Sequence, residues 1–579
     1  MKAKLIQLGL CVTFAVMQSL TLQSQAPTWA WSVDSNGPGD ELLYDIALGP
    51  DGIIYALGDF KDSFIFGDEM VAHPGPLNPN VGIPKLSKIN ASGEVEWVVP
   101  MYDPNLQYFF LGVSALTADS EGNAYIAGMV FRGPIQGAYS VNILGLELTV
   151  PASTLGDSFI AKIDPFGNAV WIKSIATEDH PGWCTGNQLT IDENDQIYWS
   201  ATFQMDAIEI DGEVYPNLGP PGEFFATPFV TSLNADGDFL WFQVFGGTEF
   251  NGARSLAPSK GGGLLMCSIW TGATANVGGL TVENPNPLIG DNFDRWIAKM
   301  NSNGEADWLV REGGPENEST GVVAPSASGG AMVFSPVWNP TSIDDVEYDD
   351  PGYLLTRYSS DGELETVKYY STNAPGFLSA IAYDNDNTYF LRGSLNSETF
   401  TFGDLEIGNS GGFNGTSDLM VVALDVDGNT LWSVSAGGDE NELTRDIAYS
   451  PSHGVILAGI TTSSALTLGG TTMENLGVFT YDFFVAALDF TSSITEKEGV
   501  ERLHLFPNPV VNQFSIDLSP LQTGQHTLHI FDTRGALVQS HQAMGGQLHQ
   551  VEVSVLPSGN YVVMIQSQSM VYASKLVKL

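Results

Sequence analysis

The stretch SFIAKIDPFGNAVW, residues 158–171, is repeated along most of the 579-residue chain, and this repetition decides the fold. It joins a strand of alternating apolar residues, a tight turn that contains glycine, and a second strand that ends in tryptophan. Alternation with a period of two and turns of the Asp-Gly or Gly-Asn type predict β-hairpins. Four other copies end in tryptophan, one ends in threonine and one stops halfway: Trp97, Trp241, Trp308, Trp432, Thr366 and FFVAALDF from Phe483.

A second hairpin precedes each copy. The segment LYDIALGPDGIIYALGDF, which starts at Leu43, has alternating strands on both sides of its turn. Equivalent segments start at six further positions: Gly112, Asn187, Arg254, Gly321, Leu378 and Thr444. Each unit therefore contains four strands, and four-stranded sheets repeated along a chain are typical of a β-propeller. The repeated tryptophans are expected to fill the spaces between neighbouring sheets.

The two ends of the repeated region complement each other. WSVDSNGPGDELLYDIALGP, from Trp31, matches WSVSAGGDENELTRDIAYSP, from Trp432, nearly residue for residue. The N-terminal strand is thus a fourth strand without a preceding three, and the last copy has three strands without a fourth. We expect the N-terminal strand to complete the last blade of a seven-bladed β-propeller spanning residues 25–492, in an all-β protein.

The repeats resemble those of the bacterial seven-bladed β-propeller repeat family. The similar pieces are AYIAG (124–128), FIAKI (159–163), GNAVW (167–171) and GNTLW (428–432). The resemblance covers roughly residues 28–490, and Thr366 departs from it where the family has tryptophan. It implies the fold and leaves the ligand open.

The last segment, residues 503–579, contains short alternating strands and predicts a small β-sandwich, after a polar linker at 493–502. It resembles a type A C-terminal sorting domain of the type IX secretion system. The residues that carry the resemblance are Pro507, Asn508, Pro509, Gly535, Leu556, Gly559, Tyr561 and Lys575. The resemblance implies the type IX machinery as partner. It also implies export through the periplasm of a Gram-negative bacterium, then removal of the tail and surface attachment or release. The alternative is an ordinary sandwich that binds a ligand.

Charge and the N-terminus agree with export. Residues 1–24 place Lys2 and Lys4 before an apolar run, which predicts a secretory signal peptide. No other segment has the about 20 apolar residues of a transmembrane helix, so we expect no such segment in the mature chain. The chain has 67 acidic and 22 basic residues, and its net charge of −45 excludes nucleic acid and anionic membranes as general partners.

Motifs for catalysis are absent from the sequence, and the body has few histidines. Calcium is the one cofactor considered, because carboxylate oxygens suit it. The candidate ligands are Asp344, Asp345, Asp349 and Asp350. Two weaker candidate sets, Asp384 with Asp386 and Asp425 with Asp427, lie in repeat turns where aspartate is favoured anyway. Cys184 and Cys267 either pair in the oxidising compartment or are buried apolar residues.

The long connections between the second and third strands of each unit place variable loops on one face of the predicted ring. Their content of Gly, Pro, Asp and aromatic residues suits a carbohydrate or protein surface. We therefore predict an exported, noncatalytic binding or interaction protein whose ligand is an extracellular glycan or protein. The alternatives are a secreted polysaccharide-degrading enzyme that uses carboxylates on that face, and a structural surface protein.

Overall fold

The structure is a computed structural model of the whole chain. Residues Ala26–Ser492 form one compact unit, and residues from Ser493 to Leu579 belong to a second; each is treated by itself below. The structure describes residues 27–73, 82–103, 109–132, 138–150, 156–175, 184–219, 226–246, 251–285, 293–314, 317–338, 340–343, 346–373, 376–385, 388–410, 415–477, 480–489, 500–502, 504–506, 510–519, 521, 524–532, 537–557, 559–567 and 570–578. The predicted signal peptide lies outside these residues.

Almost all of the described secondary structure is β, as predicted; the one helical element in these ranges is a 3₁₀ turn at Pro50–Gly52. The first strands are β1 Thr28–Asn36, β2 Glu41–Leu48, β3 Ile54–Phe60, β4 Phe64–Phe66, β5 Glu69–Val71, β6 Ile83–Ile89, β7 Val95–Pro100, β8 Phe109–Ala118, β9 Ala124–Arg132, β10 Tyr139–Ile143, β11 Leu146–Val150, β12 Gly156–Ile163, β13 Ala169–Ser174, β14 Cys184–Ile191, β15 Ile197–Phe203, β16 Ala207–Ile210, β17 Glu213–Pro216, β18 Thr227–Leu233 and β19 Phe239–Val244. They are followed by β20 Asn251–Pro258, β21 Leu264–Trp270, β22 Thr274–Val277, β23 Leu280–Glu283, β24 Asp294–Met300, β25 Ala306–Glu312, β26 Val322–Pro325, β27 Ala331–Val337, β28 Thr341–Ile343, β29 Val346–Tyr348, β30 Gly352–Tyr358, β31 Leu364–Ser371, β32 Gly376–Tyr383, β33 Thr388–Leu395, β34 Thr399–Phe402, β35 Leu405–Gly408, β36 Asp418–Asp425, β37 Thr430–Ala436, β38 Glu442–Ser450, β39 Gly454–Thr461, β40 Ala465–Leu468, β41 Thr471–Glu474 and β42 Asp482–Asp489. The second unit contains β43 Val500–Arg502, β44 His504–Phe506, β45 Gln513–Asp517, β46 Gln525–Asp532, β47 Leu537–Met544, β48 Leu548–Glu552, β49 Gly559–Ser567 and β50 Met570–Lys578.

The strands of the first unit pair in antiparallel sheets that follow one another along the chain. We number these sheets one to seven: β2-β3-β6-β7, β8-β9-β12-β13, β14-β15-β18-β19, β20-β21-β24-β25, β26-β27-β30-β31, β32-β33-β36-β37 and β38-β39-β42-β1, the last of which continues from β1 into the hairpin β4-β5. In sheet seven, β1 pairs antiparallel with β42, with Trp31 opposite Ala487. The connections between second and third strands form short hairpins, of which β10-β11 is an example.

Neighbouring sheets contact through their first strands. β2 lies beside β8, β8 beside β14, and the series continues through β20, β26 and β32 to β38, which lies beside β2. We call the space between two neighbouring sheets a junction. Each junction holds its own cluster of buried apolar side chains. Burial of each such side chain contributes about 1.5–3 kcal/mol, so the sheets are held mainly by these clusters.

The repeated tryptophans lie at the junctions, as expected from the sequence. The Nε1 of Trp171 in sheet two donates to the carbonyl oxygen of Ala235, in a turn of sheet three (3.1 Å). The turn residue Gly237 has a φ of 82°, and a Cβ there would lie 2.9 Å from the Trp171 ring. Glycine is therefore needed both for the turn and for the close approach of the ring. Trp97, Trp241 and Trp308 make the same bond to the following sheet.

Sheet five, which lacks this tryptophan, uses another donor. Thr366 occupies the position, and Nη1 of Arg357 on the neighbouring strand donates to the carbonyl oxygen of Val426 in sheet six (2.7 Å). Val426 occupies the same turn position as Ala235. The departure from the repeat thus changes the donor and keeps the bond between sheets.

The second unit has two sheets, β43-β50-β49-β46-β47 and β44-β45-β48. Both contribute to one apolar core, in which Phe514 and Val551 from the smaller sheet join Ile530, Val563 and Ile565 from the larger one. The alternating sequence pattern therefore places one face of each sheet in a common core.

Candidate functional site

The predicted calcium ligands are only partly described. Asp344 and Asp345 lie outside the described residues, whereas Asp349 and Asp350 are exposed between β29 and β30. The carbonyl oxygen of Asp350 accepts a hydrogen bond from the Tyr369 hydroxyl (2.9 Å). In the described part of the chain, no group of three or more His, Cys, Asp or Glu side chains is arranged to hold a metal ion. Calcium binding at this loop stays a prediction.

The aspartates of the repeat turns form turn hydrogen bonds. Oδ1 of Asp425 accepts from the backbone N–H groups of Asp427 (3.0 Å) and Asn429 (2.7 Å). Oδ1 of Asp384 accepts from the N–H of Thr388 (2.9 Å), and Asp386 lies outside the described residues. The described turn aspartates therefore stabilise local turns, in agreement with the structural interpretation of these residues.

Two carboxyl groups lie on first strands of neighbouring sheets. Oδ2 of Asp45 accepts from the N–H of Leu116 in sheet two (2.7 Å), and Oδ2 of Asp446 accepts from the N–H of Ile46 (3.1 Å). Burial, followed by the charge of Asp446 and a hydrogen bond to it, raises the pKa of Asp45 well above its usual range. These bonds connect the first strands of sheets seven, one and two, so we assign the pair to stability.

Neither cysteine pairs with the other: Cys184 and Cys267 are both buried and form no disulfide within the described residues. Burial raises the pKa of Cys267 to about 12, which leaves its thiol neutral. Of the two interpretations of the sequence, that of buried apolar residues is the one the structure supports.

An open pocket of about 300 Å³ lies at the five–six junction. Sheet five contributes the start of β26, the end of β27 and the start of β30, and sheet six contributes the start of β32. The lining residues are Thr320, Gly321, Val322, Phe334, Pro336, Trp338, Tyr353, Leu378 and Ser379. None of them carries a charge, and their side chains are mostly apolar or aromatic, as is usual for small-molecule sites.

Aromatic rings form the wall of this pocket. The rings of Phe334 and Tyr353 stack with centroids 5.1 Å apart and planes 10° apart. The ring of Phe402, from hairpin β34-β35, packs against both. The Tyr353 hydroxyl accepts from the N–H of Leu378 (3.2 Å), which connects sheet five to sheet six. Burial raises the pKa of Tyr353 to about 12, so its phenol is neutral at physiological pH.

Trp338 follows β27 at the mouth of the pocket and is 46% exposed. The residue after the second strand is polar in most other sheets: Lys61, Gln204, Thr271, Asn396 and Thr462. A half-exposed tryptophan here is therefore a departure from the repeat. It was not singled out from the sequence, although an alignment of the seven second strands contains this signal.

Three other junctions hold a pair of carboxyl groups that the five–six junction lacks. In three junctions, a buried aspartate at the start of a third strand lies near a buried glutamate of the next sheet: Asp294 with Glu318, Asp418 with Glu442, and Asp482 with Glu41. The N–H of each glutamate donates to the residue that precedes the aspartate, at 2.8, 2.7 and 2.7 Å. The equivalent residues at the five–six junction are Gly352 and Gly376. Both carboxyl groups are thus missing beside the pocket.

The tail residues are also only partly described. Pro507, Asn508, Pro509 and Gly535 lie outside the described residues. Leu556 and Tyr561 are buried in the core of the second unit, and the Tyr561 hydroxyl donates to the carbonyl oxygen of Pro557 (2.9 Å). Gly559 begins β49, and Lys575 on β50 is opposite Val562. Leu556 and Tyr561 thus contribute to the core of this unit.

Comparison with known proteins identifies the tail. Residues 504–579 match the family described as secretion system C-terminal sorting domain, which confirms that part of the sequence analysis. This domain is associated with export to the cell surface or the medium by type IX secretion. No curated protein matches the chain. In the described residues, we find no helix that is long and apolar enough to cross a membrane.

Several solved structures are similar to the chain at low identity. A protein of unknown function from Dyadobacter fermentans is 9% identical, with a TM-score of 0.34 over 80% of this chain and 100% of that one. The Hadza microbial sialidase Hz136 is 8% identical, with a TM-score of 0.31 over 61% and 63%. The periplasmic gluconolactonase PpgL of Pseudomonas aeruginosa is 12% identical, with a TM-score of 0.30 over 70% and 96%. At these values, function has to be inferred from the residues of this chain.

Proposed function

We propose that the mature protein is an extracellular, noncatalytic binding module: a seven-bladed β-propeller of residues 25–492 that its C-terminal sorting domain delivers. The contact series from β2 round to β38 and back supports a ring of seven sheets. The pairing of β1 with β42 supports closure by the N-terminal strand. A Cβ on Gly93 of sheet one would lie 2.6 Å from the ring of Trp31, so the seven–one junction repeats the tryptophan arrangement of the others.

The sorting domain supports the remaining domain assignments. Residues 1–24 act as the signal peptide, the segment from 493 up to β43 as the linker, and the rest as a small β-sandwich that engages the type IX machinery. The sandwich thus starts at Val500, inside the predicted linker 493–502, because β43 pairs with β50. The common core of the two C-terminal sheets supports the sandwich. The acidic, export-directed chain then meets its ligand outside the cell, at the surface or in the medium.

The pocket at the five–six junction carries the proposal of binding. Its aromatic residues and half-exposed Trp338 depart from a repeat that holds a buried carboxyl pair at three other junctions. Its lining offers hydroxyl groups and aromatic faces, and it contains no residue that acts as a nucleophile beside a general base. Such a lining holds a ligand without reacting with it.

Retention and product analysis together test this function. The full-length protein and its Trp338→Ala variant are passed over a panel of immobilised extracellular polysaccharides and surface proteins, and the length of each eluted polymer is measured. We expect retention of at least one partner at unchanged length, weakened by the substitution. Shortened polymers would contradict the noncatalytic function. Equal retention of both proteins would place the binding surface away from the pocket.

A further inference from the structure

We infer that the pocket at the five–six junction takes an uncharged aromatic ring with one hydrogen-bonding substituent, such as a phenol or an indole. This inference rests on the proposed binding function and names the class of ligand. It follows from the charge, the polarity, the volume and the aromatic wall of the pocket.

Charge excludes ionic ligands. The nine lining residues are neutral in a chain whose net charge is −45. Arg392 lies behind Ser379, and its Nη1 donates to Ser379 Oγ (3.1 Å) and to the carbonyl oxygen of Thr444 (3.0 Å). Its cationic Nη1 is therefore engaged within the protein. An ion that entered the pocket would lose water with no charged side chain in the lining to replace it, which is unfavourable.

Polarity disfavours a sugar. Five of the nine lining residues, Gly321, Val322, Phe334, Pro336 and Leu378, have no side-chain group that forms hydrogen bonds. A hexose has several hydroxyl groups, and those facing these residues would lose their hydrogen bonds to water. A ring with a single polar substituent needs only one partner. The Ser379 hydroxyl, which accepts from Arg392, still has its own hydrogen to donate.

Volume and ring geometry favour an aromatic ligand. A cavity of about 150 Å³ holds benzene, so about 300 Å³ leaves space for a substituted or bicyclic ring. The half-exposed Trp338 ring offers an aromatic surface in the pocket, whereas the Phe334–Tyr353 stack, 1% and 2% exposed, forms its buried floor. Aromatic rings prefer offset-stacked or edge-to-face contacts with such surfaces, which add to the gain from burial.

Ligand-observed NMR tests the inference with four probes: p-cresol, indole, methyl β-D-glucopyranoside and benzoate. Each is titrated against the full-length protein, Trp338→Gln and Phe166→Gln. Glutamine is the residue that sheet three has at the position of Trp338, as Gln204, so the repeat accommodates it. Phe166 is 82% exposed in a turn of sheet two and controls for nonspecific aromatic contacts. Unchanged thermal unfolding shows that both variants are folded.

We expect p-cresol and indole to bind, about tenfold more weakly in Trp338→Gln and equally well in Phe166→Gln. Binding of the glucoside or benzoate that depends on Trp338, with no binding of p-cresol or indole, would overturn the inference and leave the proposed function standing. The inference would also be overturned if p-cresol and indole did not bind, or if they bound equally well to all three proteins. The proposed function is then judged by the retention experiment alone.

Discussion

The seven–one and five–six junctions contain equivalent strands with opposite chemistry. At the first, Glu41 is buried at the start of β2, the first strand of sheet one, and Asp482 is buried at the start of β42, the third strand of sheet seven. At the second, the same positions are Gly376 and Gly352, and a pocket opens beside them. The comparison shows that one repeated backbone forms either a closed, charged contact or an open apolar site, depending on a few side chains.

A shared proton holds the seven–one junction. No donor among the described residues reaches Oε1 or Oε2 of Glu41 or Oδ1 of Asp482. Burial and the neighbouring Asp482 raise the pKa of Glu41, so the pair keeps a proton in the folded state. Lys85 lies nearby with its Nζ 3.6 Å from the centroid of the Phe483 ring.

At about pH 4, where Glu41 is protonated in the folded state and largely so in the unfolded state, removal of its side chain is expected to have a large effect on stability. Glu41→Ala removes a fully buried side chain and its shared hydrogen bond, and it deprives Lys85 of a neighbouring carboxyl. We expect the free energy of unfolding to fall by about 3 kcal/mol. Urea unfolding measures the change. The matched variant at the open junction is Ser379→Ala, for which we expect about 1 kcal/mol or less. Equal losses in the two variants would remove the contrast between the junctions.

A comparable or larger effect is a loss of stability as the pH rises from about 4.5 to 7. Burial, followed by the hydrogen bond to Asp482, raises the pKa of Glu41 from 4.5 to about 9. Burial raises the pKa of Asp482 from 3.8 to about 7. The folded state therefore binds more protons than the unfolded state in this range. Each such carboxyl lowers the free energy of unfolding by about 1.4 kcal/mol per pH unit.

Above about pH 7 the slope flattens, because Lys85 acts in the opposite sense. Burial lowers the pKa of Lys85 from 10.5 to about 7, so the folded state then binds fewer protons at this residue than the unfolded state. Urea unfolding at several pH values gives the profile. Glu41→Gln should reduce the slope of unfolding free energy against pH below pH 7 by about 1.4 kcal/mol per pH unit, the contribution of one carboxyl. Trp338→Gln should keep the wild-type slope. A profile of Glu41→Gln that overlays the wild type would show that Glu41 does not hold the proton.

Much of this comparison could be predicted from the sequence. Alternating residues and turn glycines predict the four-stranded sheets, because side chains of a strand face opposite sides in turn. The match between the segments at Trp31 and Trp432 predicts the pairing of β1 with β42. The pocket could not be predicted in this way, because it depends on how side chains of two sheets pack at their junction. The carboxyl pairs were missed because aspartate and glutamate in polar segments are usually solvated, and only packing shows that these are buried.

The smallest expected effect separates the pocket from the scaffold. Trp338 is about half exposed, and its replacement by glutamine copies sheet three, so we expect the free energy of unfolding to change by about 0.5 kcal/mol or less. The same substitution is expected to weaken binding of aromatic probes. A residue that maintains the fold would lose stability and binding together, whereas a residue of the site loses binding alone. Urea unfolding of Trp338→Gln beside Glu41→Ala makes this distinction within one protein. If Trp338→Gln lowered the free energy of unfolding as much as Glu41→Ala, Trp338 would be part of the packing. The five–six junction would then be a packed contact like the seven–one junction.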